Sequence, residues 1–547
     1  MSPFRSLSPA RIALLCCTIT TVACLLYGIQ RPINDPHSFR QSQTAISAYW
    51  MVGQPDTFAG YTTPIFGLPE AIPFEAPFYQ YLMARAHELS GVPLDAAGRA
   101  VSIGAFLLLV ILAGWLARET GLSADGQDYI RILLLSSPLY LFWSRAVLIE
   151  STALLLAVAG VCAVLAAVNR CSLGWLLVGT LVGSMAALAK VTTWAVAAGC
   201  GCLLVLVQGV AQGVSPEPGR PRPRWGWLAA GLLAAMLPVI PAKLWIAWTD
   251  QVKVLNEFGR TLTSTEVSAW TFGSLSQRLR TELYVGQLGW VRRYLISWST
   301  LTLALLLLAL GYRACARDWR RWLLPAAFFG AFTSGPLIFA NLYYVHDYYW
   351  YASGIWLLFA LAAVLVLIPL CPHLAGIDSG KVALGLVLLF AAGGYASWWR
   401  TLRPLISDHR VEGTTNRPSW EEIARWRALA QREVLPTERL LVFSGGYSAF
   451  WMYYAERKGL SFPTYHPTPV KLEQAGWKRI LADEQTAGKL GAMFVEQHEW
   501  RTRPATEWIE VAKAAGFAPG YIESTFGYLF PRPRAERGPA PEMGPGR

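Results

Sequence analysis

The sequence contains little charge for its length. Only 15% of its 547 residues are Asp, Glu, Lys or Arg, whereas soluble proteins average about 25%. The hydrophobic residues make up 54% of the chain. This composition disfavours an ordinary soluble protein and is typical of a chain that crosses a membrane several times.

The sequence also lacks a cysteine framework. No pair of cysteines has the spacing of a structural zinc site. No single cysteine falls in a segment that is predicted below to lie outside the membrane. All nine lie in apolar runs or in the predicted inner loops, at positions 16, 17, 24, 162, 171, 200, 202, 315 and 371. We therefore expect no disulfide-stabilised domain. The first apolar run lacks a clear small-residue cleavage site, so it is predicted to be an uncleaved anchor.

Long apolar runs, in contrast, are abundant. A membrane-spanning helix needs about 20 mainly apolar residues, because each backbone polar group must be paired inside the helix. About eleven stretches meet this requirement. They are 12–29, 100–117, 130–143, 147–168, 173–189, 192–210, 226–248, 294–312, 322–342, 350–370 and 381–398.

The distribution of basic residues predicts the orientation of these spans. Arginines accumulate in alternate connections, such as 220–224 and 313–321, whereas the long loop 31–98 holds only three. By the positive-inside rule the N-terminus is cytoplasmic and the C-terminal region lies outside, which we interpret as the periplasmic side of a bacterial inner membrane. Topology and anionic lipid account for much of the net charge of +12, so no nucleic-acid partner is required.

Three regions are predicted to lie outside. The loop 31–98 contains two stretches with helical patterns, 40–52 and 75–89, which fit short helices at the membrane surface. A polar connection, 250–293, is the second region. The third is the chain after about residue 400, where charged residues return and the apolar runs shorten to strand length.

This last region predicts a small α/β domain. The stretch 419–433 is amphipathic and begins with a capping residue, Ser419. The stretches 439–446, 491–497 and 521–530 are typical of strands. We therefore expect a transmembrane domain over 1–399 and an outer α/β domain over 400–530. A Pro/Gly/Arg-rich tail, 531–547, is expected to be disordered.

The most polar residues fall on the predicted outer side of the spans. Ionisable groups near hydrocarbon are costly and often mark functional sites. The catalytic candidates are Asp35 and His37. The substrate-binding candidates are Arg40, Gln41, Glu75, Tyr79, Arg145, Glu150, Lys190, Arg292, Arg293, His346, Asp347 and Tyr349.

Simpler roles are open for several candidates. Arg145 and Glu150 can pair with each other, and Asp35 can cap the helix that begins near Ser38. The tyrosines of 343–351 are typical of an aromatic belt at the membrane interface. The double arginine 292–293 can be a plain helix flank, although its outer position opposes the positive-inside trend and arginine suits phosphate oxygens.

The chain resembles the GT-C glycosyltransferases, specifically glycosyltransferase family 39 and its relatives of the protein-mannosyltransferase-like and aminoarabinose-transferase-like branch. The matching stretches, which occur in the order expected for that family, are DPHSFRQSQTA (35–45), FEAPFYQYLMA (74–84), SRAVLIESTALLL (144–156) and VHDYYWYASG (345–354). The resemblance implies a polyprenyl-phosphate sugar donor, an acceptor that is a glycan, lipid or protein, and inverting transfer outside the cytoplasm. It also implies that Asp35 acts as the base or orients the acceptor.

The sequence departs from the family pattern at two positions. The family usually has an acidic pair in the first loop, but here Asp35 is followed by Pro36. If the match is anchored on Arg40, His37 takes the place of the acid, so His37 is a rival base. Glu75 stands where the aminoarabinose branch tends to carry lysine. Because carboxylates are few, we expect no cofactor and no metal, although a divalent metal is not excluded.

Physical chemistry suggests roles for these groups. Cations such as Arg40, Lys190 and His346 would neutralise a leaving phosphate, as would the double arginine 292–293, and a carboxylate would accept the acceptor's proton. Tyr79 or Tyr349 would stack on a sugar ring or line a lipid groove. The alternative function is a transporter or flippase of a lipid-linked saccharide, which favours ionisable residues at mid-span. A receptor with a membrane anchor is the third hypothesis.

Overall fold

The structure is a computed structural model of the chain. It describes residues 8–54, 58, 60–70, 72–214, 225–296, 319–367, 378–406, 418–444, 446–463, 481–482 and 489–533. The chain divides into two compact units. Unit 1 comprises Met1–Ile29, Arg99–Ala247 and Val267–Ser407, and unit 2 comprises Gln30–Gly98, Trp248–Glu266 and Asp408–Arg547.

Most of the described elements are helices. In the first half of the chain they are α1 (Pro9–Leu26), α2 (Ser38–Tyr49), α3 (Phe78–Ser90), α4 (Leu94–Glu119), α5 (Ala124–Ser136), α6 (Pro138–Trp143), α7 (Glu150–Arg170), α8 (Leu173–Ala189), α9 (Val191–Val214), α10 (Trp225–Met236) and α11 (Val239–Lys253). In the second half they are α12 (Glu257–Arg260), α13 (Ser268–Phe272), α14 (Leu275–Arg278), α15 (Thr281–Trp290), α16 (Leu323–Ile338), α17 (Ala340–Val345), α18 (Trp350–Leu367), α19 (Ser379–Ser397), α20 (Arg403–Ile406), α21 (Trp420–Glu433), α22 (Phe450–Ala455), α23 (Gln497–Trp500) and α24 (Ala505–Ala514).

Seven helical segments within the described residues are long and apolar enough to cross a membrane. They are Pro9–Leu26, Leu94–Glu119, Glu150–Arg170, Val191–Val210, Trp225–Lys253, Asp347–Leu367 and Gly380–Ile406. Each coincides with one of the eleven predicted runs, so the prediction of a mainly helical, polytopic membrane protein is confirmed.

The other four predicted runs have different outcomes. The run 173–189 is α8, an apolar helix one turn shorter than a full span. The run 130–143 is divided between α5 and α6, because Pro138 begins a new helix. The run 322–342 is divided between α16 and α17 at Phe339. Most of the run 294–312 lies outside the described residues.

Close helix packing in unit 1 brings two distant charged residues together. Helices α7 and α8 are consecutive and antiparallel, and they approach at glycines. A Cβ atom on Gly160 would lie 3.2 Å from the backbone of Gly183. Small residues allow such contact between membrane helices. The start of α7, at Glu150, therefore lies beside the end of α8, at Lys190.

Unit 2 contains a five-stranded sheet. Its strands are β1 (Arg439–Ser444), β2 (Gly459–Pro463), β3 (Leu490–Glu496), β4 (Ile522–Ser524) and β5 (Gly527–Pro531). The strand order is β2-β1-β3-β5-β4, with β1 parallel to β2 and β3, and β5 antiparallel to β3 and β4. The predicted C-terminal α/β domain is confirmed.

The details of this unit refine the prediction. Ser419 and Glu422 form a reciprocal capping box at the start of α21, as its sequence indicates. The predicted strand 521–530 is instead a hairpin of β4 and β5, since the chain turns at Ser524–Gly527. Strand β2 was not predicted, because its sequence is short and ends in Pro463, a residue confined to edge positions.

Unit 2 also includes the loop that follows α1, in which α2 and α3 lie close to the helical stretches predicted over 40–52 and 75–89. The backbone of this loop pairs with β2, where Ser461 N donates to Ile65 O at 2.7 Å and Phe66 forms a bridge with Leu460. Asp95 accepts hydrogen bonds from the hydroxyls of Tyr453 and Tyr454. These long-range bonds group residues 30–98 with the C-terminal sheet. Most of the predicted disordered tail, 534–547, lies outside the described residues.

Candidate functional site

A buried ion pair joins Glu150 and Lys190 in unit 1. The two side chains are only 5% and 8% exposed. Lys190 has an extended conformation between α8 and α9, so this break in the helix directs its side chain towards the first turn of α7. The structure thus pairs Glu150 with Lys190 and not with Arg145, the alternative that the sequence had left open.

Aromatic rings cover the ammonium group of Lys190. Its Nζ atom lies 4.2 Å from the ring centre of Tyr349 and 5.3 Å from that of Tyr348. A desolvated cation over aromatic faces is stabilised by the ring quadrupoles. The second oxygen of Glu150, Oε2, is buried and accepts no hydrogen bond from any residue that the structure describes. The pair therefore retains one oxygen that can bind a further donor.

A tyrosine links this pair to the double arginine. Tyr294, which follows Arg293, lies in a π-helical turn (Val291–Leu295) and donates its hydroxyl to the buried carboxylate of Asp347. Asp347 immediately precedes Tyr348 and Tyr349 in a 3₁₀ turn. Unit 1 thus connects Arg293 to Lys190 through a short series of contacts, although 103 positions separate them in the sequence.

Arg292 and Arg293 line an open groove in unit 1. Its other lining residues are Gly286, Gly289, Trp290, Ser397 and Thr401. Both arginines are exposed, and neither pairs with a carboxylate among the described residues. A Cβ atom on Gly289 would meet nothing within 4 Å, so the groove is open above that residue. Two guanidinium groups beside two hydroxyls form a donor set that suits phosphate oxygens.

Two other predicted residues of unit 1 lie within its packed interior. Arg145 is 1% exposed and donates to the backbone oxygen of Gly28 at 3.1 Å. The ring of His346 packs on Tyr348, with ring centres 5.2 Å apart, and also contacts Trp270. His346 thus packs against Tyr348, one of the two rings over Lys190.

The catalytic candidates lie in unit 2, in the turn that precedes α2. Asp35 is 5% exposed. His37 caps α2 with a left-handed backbone, at φ 57° and ψ 34°, and its ring contacts Phe39 at 5.9 Å. Non-glycine residues rarely adopt this conformation, which is often retained at functional sites. His37 therefore occupies the N-cap position of α2, although its side chain makes no capping hydrogen bond there.

Arg40 and Glu75 form an ion pair within unit 2. Both side chains are about one-fifth exposed, at 20% and 22%. Arg40 also donates to Gln43 at 3.1 Å and lies 5.5 Å from the ring centre of Phe74. The two residues come from α2 and from the segment before α3, so the pair joins the two halves of the first loop. Burial and nearby Glu75 raise the pKa of the Tyr61 hydroxyl, which bonds to Glu75 O.

Gln41 and Tyr79 are interior residues of unit 2. Gln41 is fully buried, and its amide donates to Pro36 O at 3.0 Å. Tyr79 is 1% exposed, and its hydroxyl donates to Gly98 O at 2.8 Å. The structure therefore places the ring of Tyr79 in the core and not on a surface that a sugar can reach.

Sequence reasoning missed several residues that the structure adds. Tyr294 was detectable, because it directly follows the double arginine. Tyr348 belongs to the quoted stretch 345–354 but was assigned to the aromatic belt. Ser397 and Thr401 carry no signal in the sequence, since only folding brings them to the groove beside Arg293.

Residues 76–254 match the family model described as "PMT: Dolichyl-phosphate-mannose-protein mannosyltransferase". No protein of curated function matches the chain. The matching segment includes Glu150 and Lys190.

Solved structures share the fold. One is ArnT from Cupriavidus metallidurans bound to undecaprenyl phosphate, which is 11% identical with a TM-score of 0.56 and covers 96% of this chain and 99% of its own. The same protein in the apo state is 12% identical with a TM-score of 0.53, covering 97% and 100%. The apo oligosaccharyltransferase from Archaeoglobus fulgidus is 12% identical with a TM-score of 0.50, covering 96% and 75%.

Proposed function

We propose that this chain, which has the fold of the GT-C glycosyltransferases, transfers a sugar from a polyprenyl-phosphate donor to a hydroxyl group of a glycan, lipid or protein. The proposed reaction inverts the anomeric centre and needs no metal. We place it on the periplasmic side of a bacterial inner membrane, with the N-terminus in the cytoplasm. The match to the mannosyltransferase family model and the undecaprenyl phosphate bound to ArnT support the choice of donor.

The observation that carries the proposal is the set of cations in unit 1. Arg292 and Arg293 present exposed donors in an open groove, and the contacts of Tyr294 and Asp347 connect them to Lys190. A polyprenyl phosphate has an anionic headgroup on an apolar chain. Positive groups preorganised near hydrocarbon stabilise the negative charge that grows on the phosphate as the sugar leaves.

The proposed chemistry is a displacement at the anomeric carbon. The acceptor oxygen forms a bond to that carbon while the bond to the donor phosphate breaks, and the bonding pair leaves with the phosphate. The acceptor proton passes to a base. Asp35 is our preferred base and His37 the rival. These residues belong to unit 2, and the phosphate contacts belong to unit 1, so each set is tested separately.

The direct test is consumption of the donor. Purified full-length protein is incubated with a panel of undecaprenyl-phosphate sugars and with a glycan, lipid and protein extract that supplies hydroxyl acceptors, and release of undecaprenyl phosphate is measured by mass spectrometry. We expect one donor to be consumed. Consumption of none, with movement of a labelled lipid-linked saccharide between leaflets of a vesicle, would instead support a flippase.

A matched pair of variants tests the groove. The double variant Arg292→Gln/Arg293→Gln should raise the KM for the donor at least tenfold, because two phosphate contacts are removed. Arg320→Gln/Arg321→Gln removes the same charge from another exposed double arginine, in the 3₁₀ turn Trp319–Trp322. That control should retain the original KM for the donor. An equal rise of this KM in both double variants would show a general charge effect.

A further inference from the structure

Helix α15 has an inverted amphipathic pattern. Its exposed face carries Tyr284, Val285 and Leu288, which are 38%, 63% and 56% exposed. Its buried face carries Leu283 and a polar residue, Gln287. A surface helix of a water-soluble protein has the opposite arrangement. An outward apolar face on a helix with a polar inner contact is typical of a surface that faces lipid.

The segment before α15 continues this apolar surface. Leu275, the first residue of α14, and Leu279, which follows its last residue, are 75% and 79% exposed. Trp270 and Phe272 of α13 are 51% and 43% exposed. Large apolar side chains occur singly on soluble surfaces, whereas seven exposed ones within residues 268–290 indicate an interaction surface. We call residues 268–290 the surface segment.

Side chains of the surface segment bind the end of helix α16. Arg278 donates to the backbone oxygens of Leu337 and Ile338, at 3.1 and 2.7 Å. Gln287 donates to the oxygen of Ala340, the first residue of the next helix, α17, at 2.9 Å. The last carbonyl groups of a helix have no partner within it and carry partial negative charge, so a guanidinium group satisfies and stabilises them. The surface segment is thereby attached at the end of an apolar helix.

This attachment predicts the depth of the segment in the membrane. Helix α16 begins the predicted span 322–342, and its terminal residues Leu337 and Ile338 are themselves 54% and 44% exposed. The end of a helix in a predicted span is expected near the boundary between hydrocarbon and headgroups. The hydrogen bonds of Arg278 hold the surface segment close to that helix end.

The charge of this region fits an anionic membrane surface. Residues 268–293 contain four arginines, Arg278, Arg280, Arg292 and Arg293, and one acid, Glu282, for a net charge of +3. Arg280 is exposed and forms no ion pair with the residues that the structure describes. Basic residues beside apolar side chains are the pattern by which interfacial helices bind anionic lipid.

We propose that the surface segment lies in the headgroup layer of the bilayer and binds anionic phospholipid. Leu279, Val285 and Leu288 insert at the boundary with the acyl chains, and Arg280 contacts the lipid phosphate. This inference goes beyond the transfer reaction and does not depend on it. It gives the loop between the spans a ligand of its own, a phospholipid of the surrounding membrane.

Photocrosslinking tests this proposal without measuring transfer. p-Benzoylphenylalanine replaces Leu279 or Val285 in the full-length protein, which is placed in nanodiscs of phosphatidylcholine with one-fifth phosphatidylglycerol. Both positions are exposed, so the larger side chain fits without disturbing the core. After irradiation, mass spectrometry measures the lipid adducts. Glu510, exposed on the polar face of α24, is the control position.

We expect lipid adducts at both test positions and none at the control. We also expect phosphatidylglycerol to be enriched at least threefold over its share of the bilayer at position 279, and Arg280→Gln to abolish that enrichment, whereas Arg501→Gln leaves it unchanged. Absence of lipid adducts, adducts to a second copy of the chain, or phosphatidylglycerol in proportion to its bulk share would each overturn the proposal.

Discussion

Replacing Lys190 with methionine separates its structural role from its proposed role in binding. The ammonium group of Lys190 pairs with Glu150 in a site where both side chains are less than one-tenth exposed. Removing one partner of such a pair leaves an uncompensated buried charge and costs about 3–5 kcal/mol. Glu150 Oε2 already accepts no hydrogen bond from the described residues, so none of them supplies a donor that compensates for the loss.

The double variant Lys190→Met/Glu150→Gln restores charge balance. Because no uncompensated carboxylate remains, we expect it to recover most of the stability lost by Lys190→Met. If Lys190 also neutralises the donor phosphate, the double variant still fails to transfer sugar efficiently. We expect stability to return while kcat/KM for the donor stays at least tenfold below that of the unmodified protein.

The assay combines unfolding with turnover. Thermal unfolding of the purified protein in detergent measures stability, and release of undecaprenyl phosphate measures transfer. Lys381→Met is the control, because Lys381 pairs with Asp378 on an exposed surface, where such a pair contributes little. If the double variant regains full turnover, Lys190 has only a structural role and our assignment is refuted.

Three further predictions concern the groove, the base and unit 2. Gly289→Leu should raise the donor KM several-fold by filling the groove, and it should raise the free energy of unfolding by up to about 1 kcal/mol because glycine disfavours helices. Steady-state kinetics measures the first effect and thermal unfolding the second. Gly385→Leu, at another helical position with open space, is the control. Asp35→Asn should abolish transfer, because Asp35 is the preferred base, and His37→Gln should retain most of it. Turnover measures both effects in variants whose membrane insertion is intact. Burial holds the pKa of the Tyr453 hydroxyl well above its ordinary value of 10. The stability that this burial contributes is therefore intact below pH 10 and falls at higher pH, because there only the unfolded protein loses the tyrosine proton. Tyr453→Phe should flatten this alkaline decline, as measured by the unfolding midpoint at each pH.

Each of these predictions has a contradicting result. An unchanged donor KM in Gly289→Leu would show that the lipid does not use the groove. Full turnover in Asp35→Asn with loss in His37→Gln would reverse the assignment of the base. An equally steep alkaline decline in Tyr453→Phe would show that other groups govern it.

The membrane helices could be predicted because their signal is local. A run of about 20 apolar residues must be helical in lipid, whatever surrounds it. The runs at 12–29 and 350–370 needed no knowledge of neighbours. Hydropathy does not report where a helix stops. It therefore did not predict that Pro138 divides the run 130–143 or that a break at Phe339 divides the run 322–342.

The sheet of unit 2 was only partly predictable. Strands β1 and β3 have clear apolar runs, but β2 depends on its neighbour β1 and on the backbone of residues 64–66. The hydrogen bonds between β2 and residues 64–66 join segments that are almost 400 positions apart. The hairpin of β4 and β5 was missed because its turn at 524–527 lacks a strong Asn-Gly or Asp-Gly signal.

By itself, the sequence determined the membrane architecture, the C-terminal α/β domain and the types of residue available for catalysis. Those features depend on composition and on short-range periodicity. Only the tertiary structure decided which charges meet: Glu150 pairs with Lys190 instead of Arg145, and Tyr79 is buried. Helix packing determines which charged residues pair. The glycines of α7 and α8 allow these helices to pack closely, which brings together two helix ends that no local sequence pattern relates.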